Sequence, residues 1–234
     1  MDLKEEDILG KDIGRHWYYR AKAAALSRMV GHLRPQRLLD VGAGSGFFSH
    51  HLLSDGGARS ALCVDVGYEH DRDETVGGKP VLYRRDCSQT DCDLVLMIDV
   101  LEHVDNDVGL VRHYVTKVPS GAYFLVTVPA FRFLWSDHDV FLEHKRRYTL
   151  GQIEATIRSA GLSVVRSAYF FGLIFPLAAA IRLARRGSAQ PRSSLAKHGA
   201  LTNTALAAIC SAELPLFLLN RLAGLSAFVL AKKP

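Results

Sequence analysis

The chain has 234 residues, 48% of them hydrophobic and 23% charged, which fits one α/β domain able to bury a sizeable core. No secretory leader is expected from the charged, acidic start Met1–Asp7, and Cys63, Cys87, Cys92 and Cys210 make no C-x-x-C pair, so free thiols in a cytoplasmic setting are expected rather than a disulfide framework or a zinc site. The net charge of +5 is uneven, with ten Lys or Arg against one acid, Glu213, in residues 158–234, a balance suited to an anionic partner surface.

Residues 1–34 read as a helical lead-in, chiefly 5–32, within which Asp12 or Gly14 starts a helix. After Pro35 comes a short buried strand, Arg37–Val41. Gly42, Gly44 and Gly46 make a tight loop, and Phe47–Leu53 opens a helix. Strand, glycine loop and helix form the first turn of a doubly wound sheet, where the backbone and a helix N-terminus meet a ligand. A dinucleotide fingerprint would need glycine at Phe47, and no phosphate-loop G-K-[ST] is present.

What stands there is Asp40-Val41-Gly42-Ala43-Gly44-Ser45-Gly46. On this string the chain resembles the class I S-adenosylmethionine-dependent methyltransferases. The resemblance implies a Rossmann-like doubly wound sheet. It also implies that Asp40, Gly42, Ala43, Gly44 and Gly46 pack on the methionine part of S-adenosyl-L-methionine. It places a leading helix with the run His16-Trp17-Tyr18-Tyr19-Arg20 across the cofactor site, with Trp17 and Arg20 toward substrate; plain packing is the alternative.

Ala61–Val66 reads as the second strand. Asp65 at its end lies 23 residues after Gly42, the spacing of an acid that takes both ribose hydroxyls, with Val66 beside it. Residues 67–79 read as loop or frayed helix, and Val81–Arg85 as a third strand. The resemblance then makes Asp86, with Cys87, the contact to the adenine amino group. Cys92–Asp99 is a fourth strand buried on both faces, with Asp99 lining the cofactor pocket. The string through Val100-Leu101-Glu102-His103-Val104 is similar to one in small-molecule methyltransferases. Neither D-P-P-Y nor N-P-P-Y occurs, so no nucleic-acid acceptor is expected. His103 reads as a packing or capping residue, with a base as the alternative.

A helix over Val108–Lys117 and a strand over Gly121–Val128 close the cofactor-binding core, 35–128. Residues 129–149 read as a substrate lid. His138, His144 and Asp139 are the candidate bases, Trp135 and Tyr148 are walls, and Arg146 and Arg147 are an anion clamp. A subset of methyltransferases carries a similar Trp-Ser-x-His-Asp…His-x-Arg-Arg-Tyr-Thr string. A metal held by Asp137, His138, Asp139 and His144 matches no ligand spacing, so none is expected; a lid braced by salt bridges is the other alternative. Thr149 and Gln152 form a capping box for a helix to Ala160, followed by a strand, Leu162–Tyr169.

Residues 168–221 read as a helical insertion before the last strand, Leu225–Ala231. Two apolar stretches flank Arg182, Arg185, Arg186, Arg192 and Lys197. Gly172, Pro176, Glu213 and Pro215 interrupt them, which argues against a membrane span and for a hairpin lying on the inner face of a membrane. Packing on the sheet or in a homodimer is the alternative. The expected activity is methyl transfer from S-adenosyl-L-methionine to a small or lipid-linked acceptor, first of all an oxygen. A nucleic-acid methyltransferase, a non-enzymatic cofactor binder and an NAD-dependent enzyme, the last disfavoured by the glycine spacing, are the rivals.

Overall fold

The sheet order is β3-β4-β2-β1-β5-β6-β8-β7, in a computed structural model that describes residues 10–55, 57–184 and 199–234. The strands are β1 (Arg37–Val41), β2 (Ser60–Val64), β3 (Arg72–Val76), β4 (Lys79–Arg84), β5 (Leu94–Ile98), β6 (Tyr123–Pro129), β7 (Ser163–Phe170) and β8 (Ser226–Lys232). β4, β2, β1, β5 and β6 run parallel. β3 is antiparallel to β4, and β8 is antiparallel to both β6 and β7. The winding reverses between β1 and β5, where ligands bind in such sheets.

Alternating side chains feed two apolar layers. Leu38, Leu94 and Leu96 meet Leu26 and Met29 of α1 (Trp17–Val30) and Phe48 and Leu52 of α2 (Phe47–Asp55). Leu39, Val95 and Met97 meet Val111 of α3 (Asp107–Lys117), and Ile153 and Ile157 of α5 (Leu150–Ser159), on the other face. Between β6 and α5 lies a short α4 (Asp137–Phe141). The expected capping box starts α5: Thr149 N–H donates to Gln152 Oε1 at 2.8 Å, and Gln152 N–H to Thr149 Oγ1 at 3.3 Å.

Three expectations need correction. The leading helix begins at Trp17 rather than at Asp12 or Gly14, because a 3₁₀ turn occupies Gly10–Arg15; residues 1–9 lie outside the described residues. The segment read as loop or frayed helix contains β3, joined to β4 by Gly77 and Gly78. Their φ angles of +57° and +79° suit a two-residue hairpin turn. The third strand accordingly starts at Lys79, two residues early.

The insertion holds α6 (Phe175–Ala184) and α7 (Ala200–Glu213). Asn203 ties α7 to the leading segment: its Oδ1 accepts from Trp17 N–H at 2.8 Å and its Nδ2 donates to the Arg15 carbonyl at 3.0 Å. Glu213 accepts from the amides of Gly172 and Leu173 at 2.8 and 3.2 Å. Phe217 is buried between Phe170 and Phe228. The insertion therefore rests on α1 and the end of β7, yet Leu173, Leu177, Leu201, Leu216, Leu219 and Leu222 remain exposed. Arg182 turns inward and donates to the Leu134 carbonyl at 3.1 Å, so it is not one of the outward cations expected. Arg185, Arg186, Arg192 and Lys197 lie outside the described residues. Among the described residues no helix is long and apolar enough to cross a membrane.

Candidate active site

The glycine loop sits at the carboxyl end of β1. Gly42 has φ +67°, and a Cβ there would lie 2.7 Å from Val100 Cγ2, so only glycine fits. Gly42 N–H donates to the Val64 carbonyl at 2.7 Å, pinning the loop to β2. Asp65 accepts through Oδ2 from Gly44 N–H at 3.0 Å and through Oδ1 from Gly67 N–H at 2.9 Å. Each oxygen keeps a second lone pair, so the carboxylate can still take a vicinal diol. Tyr68 donates to the Gly44 carbonyl at 2.7 Å. Ala43 is buried and Val66 is 81% exposed. Asp40 lies beneath the loop, accepting from Ser49 Oγ at 2.8 Å, and burial pushes its carboxyl up to about 6. The Ser45 hydroxyl is buried with no hydrogen-bond partner. Past β4, Asp86 is exposed and paired with Lys117 at 2.9 Å, and Cys87 is half-buried.

A second wall comes from α1 and β5. Asp99, at the end of β5, has φ +53°. Its Oδ1 accepts from Thr127 Oγ1 at 2.9 Å, and its Oδ2 from Lys22 Nζ and, at 3.3 Å, from Tyr18 Oη. The Lys22 side chain is fully buried. Burial would raise the Asp99 pKa, but the Lys22 ammonium and Thr127 hydroxyl prevail and lower it. Phe131 and Phe171, just past β6 and β7, also have φ near +60°. Three non-glycine residues in this region at one sheet edge mark a place where the backbone is strained. Phe171 stacks on Tyr18 at 5.3 Å and meets Trp17 edge-on at 5.9 Å. The Trp17 indole N–H is buried without a partner, while Arg20 is exposed.

Segment 129–149 folds over this edge around Asp139, which has no exposed surface. Arg147 Nε donates to Asp139 Oδ1 at 2.6 Å and Nη2 to Oδ2 at 3.0 Å, while Arg147 Nη1 holds the Ala130 carbonyl at 2.9 Å. Ser136 N–H donates to Oδ2 at 2.8 Å, and His144 Nδ1 meets Oδ1 at 2.9 Å. Burial would raise the Asp139 pKa, but the His144 bond and the Arg147 charge hold it well below the usual carboxylate range. An ionised carboxylate only accepts, so His144 Nδ1 carries the hydrogen and, in the neutral ring, Nε2 the lone pair. Burial pushes the His138 imidazole down to about 4, which makes it a weak base. Trp135 is half-buried.

The clamp expected of Arg146 and Arg147 is not what these contacts build. Arg147 is spent on Asp139, and Arg146 Nη2 donates to the Asp105 carbonyl at 2.8 Å. Tyr148 is buried and donates to Asp107 Oδ2 at 2.9 Å. All three brace the segment. Two groups escaped sequence reasoning: Lys22, hidden among the alanines of α1, and Glu102, in the turn just past β5.

Residues 15–167 match the sequence profile of a methyltransferase domain. The chain belongs to that family. No protein of curated function matches this methyltransferase in sequence. Among solved structures, a SAM-dependent methyltransferase from Archaeoglobus fulgidus is similar at a TM-score of 0.58 and 16% identity, over 99% of this chain and 98% of that one. Phosphoethanolamine N-methyltransferase 2 of Haemonchus contortus, in complex with S-adenosyl-L-methionine, gives 0.56 and 14%, over 100% of this chain and 60% of that one. The [4+2]-cyclase SpnF gives 0.56 and 16%, over 93% and 82%. At these identities the likeness shows the methyltransferase fold alone, and the cyclase is a reminder that this fold hosts other chemistry.

Proposed function

We propose that this methyltransferase binds S-adenosyl-L-methionine across the β1–β5 switch point and methylates an oxygen of a small or lipid-linked acceptor. The residues at the switch point suit the cofactor. The glycine loop and the partnerless Ser45 hydroxyl face its methionine part, Asp65 and Val66 the ribose, and Asp86 and Cys87 the adenine. Bound, the cofactor supplies a methyl group on a sulfonium with a good leaving group. The protein's task is to align the acceptor in line with that bond, exclude water and dispose of the acceptor proton. α1 and segment 129–149 close the cleft from two sides, and Trp17 and Trp135 supply apolar walls.

The observation that carries the acceptor reading is the buried Asp139–His144 pair. It fixes one imidazole tautomer and leaves the Nε2 lone pair for the acceptor side, where a hydroxyl has to lose its proton. The exposed leucines of the insertion support a peripheral contact with a membrane, from which a lipid-linked acceptor would enter. Mass spectrometry of lipid and small-molecule extracts incubated with protein and cofactor tests this. A product heavier by one CH₂ and methylated on oxygen, absent with His144→Ala, is expected. Methylation of nitrogen alone, or no product from any extract, would refute it.

A further inference from the structure

A cluster just past β5 gives His144, the base of the reading above, two further neighbours, Glu102 and His103. Glu102 lies in a 3₁₀ turn, Leu101–His103, and has no exposed surface. Both of its carboxylate oxygens are buried without a hydrogen-bond partner. Leaving a carboxyl group in this state is costly. It is not a packing residue in any ordinary sense, because a leucine would fill the same space without that cost. The chain spends further contacts on bringing other groups to it. Lys145 N–H donates to the Glu102 carbonyl at 2.7 Å, which docks segment 129–149 here and delivers His144. One carboxylate oxygen of Glu102 and one ring nitrogen each of His103 and His144 lie within 4.8 Å of one another. The two imidazoles meet edge-on, 4.8 Å between centroids.

We infer that Glu102, His103 and His144 form a binding site for a divalent transition-metal cation. The donor set is the argument. Two imidazoles and one carboxylate suit borderline cations such as Mn²⁺, Co²⁺ or Zn²⁺ over Mg²⁺ or Ca²⁺, which prefer all-oxygen shells. Three protein ligands leave positions open for a substrate oxygen. His144 already has the support that metal-binding histidines usually have: its Nδ1–H is held by a carboxylate, Asp139, which Arg147 fixes in turn. Nε2 is thus the nitrogen left to bind the ion. A cation would also give the buried Glu102 carboxylate the partner it lacks.

The inference rests on the oxygen-acceptor reading for its purpose, though not for its binding chemistry. With Nε2 on the ion His144 is no longer the base proposed above; a hydroxyl coordinated at the open position would instead become acidic enough to release its proton to solvent at neutral pH. The oxygen pair then forms the bond to the transferred methyl carbon. The pair of the breaking carbon–sulfur bond stays on sulfur.

Calorimetry of chelator-stripped, tag-free protein with Mn²⁺ or Zn²⁺ alone tests the site without any acceptor. One tight equivalent is expected. Glu102→Gln, which keeps the shape, and His144→Ala should each weaken it at least tenfold, and Asp139→Asn roughly 10–100-fold through the orientation of His144. Affinity for S-adenosylhomocysteine, measured on the same Glu102→Gln protein, should stay within about twofold and so shows that the fold is intact. Absence of a tight equivalent, or equal affinity in Glu102→Gln, overturns the site. Stoichiometric binding that Glu102→Gln abolishes upholds it, even if no oxygen is methylated and the acceptor reading falls. Undiminished O-methylation after complete chelation sinks the cation's role and leaves the acceptor reading standing.

Discussion

Replacing Arg147 by methionine removes the guanidinium that holds Asp139 by two bonds of 2.6 and 3.0 Å. Side-chain exposure is 3% for Arg147 and 0% for Asp139, so solvent screens the pair little. Removing one partner of a buried pair leaves an uncompensated charge, at about 3–5 kcal/mol. For a chain of this size each kcal/mol shifts the melting temperature by about 2–4 °C, so Arg147→Met should melt roughly 6–20 °C lower. The double variant Asp139→Leu/Arg147→Met removes both charges and should recover most of that loss. Thermal melts and denaturant titrations followed by circular dichroism on wild type, Arg147→Met, Asp139→Leu and the double variant complete a double-mutant cycle that extracts the coupling. The pH sign follows from Asp139, whose folded pKa lies below the ordinary 3.8 of an aspartate. Its contribution is present above the unfolded pKa and is lost as pH falls through the folded one. A single variant within about 2 °C of wild type, or a double variant no better than the worse single one, would refute the reasoning.

Asp65→Ala removes hydrogen bonds to a charged group, each worth about 1.5–3 kcal/mol, so calorimetry should show S-adenosylhomocysteine bound at least tenfold more weakly; equal affinity counts against the ribose assignment. His138, pushed from 6.5 to about 4 by burial, should cost stability as pH falls from 6.5 to 4, because there the unfolded chain takes up a proton that the folded chain refuses. His138→Asn should flatten that slope, and an unchanged slope in a urea series would contradict it. His138→Asn should also keep turnover within about tenfold of wild type, whereas His144→Ala should lose roughly 10²–10⁴; the reverse ranking reverses the assignment. Flotation with anionic vesicles at low salt should carry the protein and be weakened by Leu→Ser changes at Leu177, Leu201 and Leu219; wild type that stays at the bottom would argue for an interface between subunits.

The β1–loop–α2 unit was legible because its elements are local: a buried strand, three glycines and an acid at fixed spacing. The capping box of α5 was legible for the same reason. The β3–β4 hairpin was missed although Gly77-Gly78 is a turn signal. Arg72-Asp73-Glu74-Thr75-Val76 shows no apolar alternation, since it is an edge strand whose burial comes from one neighbour. Nothing in the sequence around Lys22 singles it out, because its partner Asp99 is 77 positions away. The roles of Arg147 and Glu102 were equally hidden. Whether an arginine clamps a ligand or braces a carboxylate, and whether a lone acid is solvated or buried, depends on how segment 129–149 folds back over the turn after β5. No periodicity within either stretch encodes that return.

The Trp17–Asn203 hydrogen bond joins residues 186 positions apart in the chain. During synthesis at about 5–20 residues per second, the first helix therefore waits roughly 10–40 s for this partner. Until then Trp17 and Phe171, and with them the wall over the glycine loop, lack the support of α7. The sheet can form earlier from β1, β2, β5 and β6, but the cleft gains its roof only when the chain is nearly finished. A nascent chain stalled before Asn203 would thus carry the cofactor loop and expose apolar α1 surface, making it a natural client for chaperones that read hydrophobic helices.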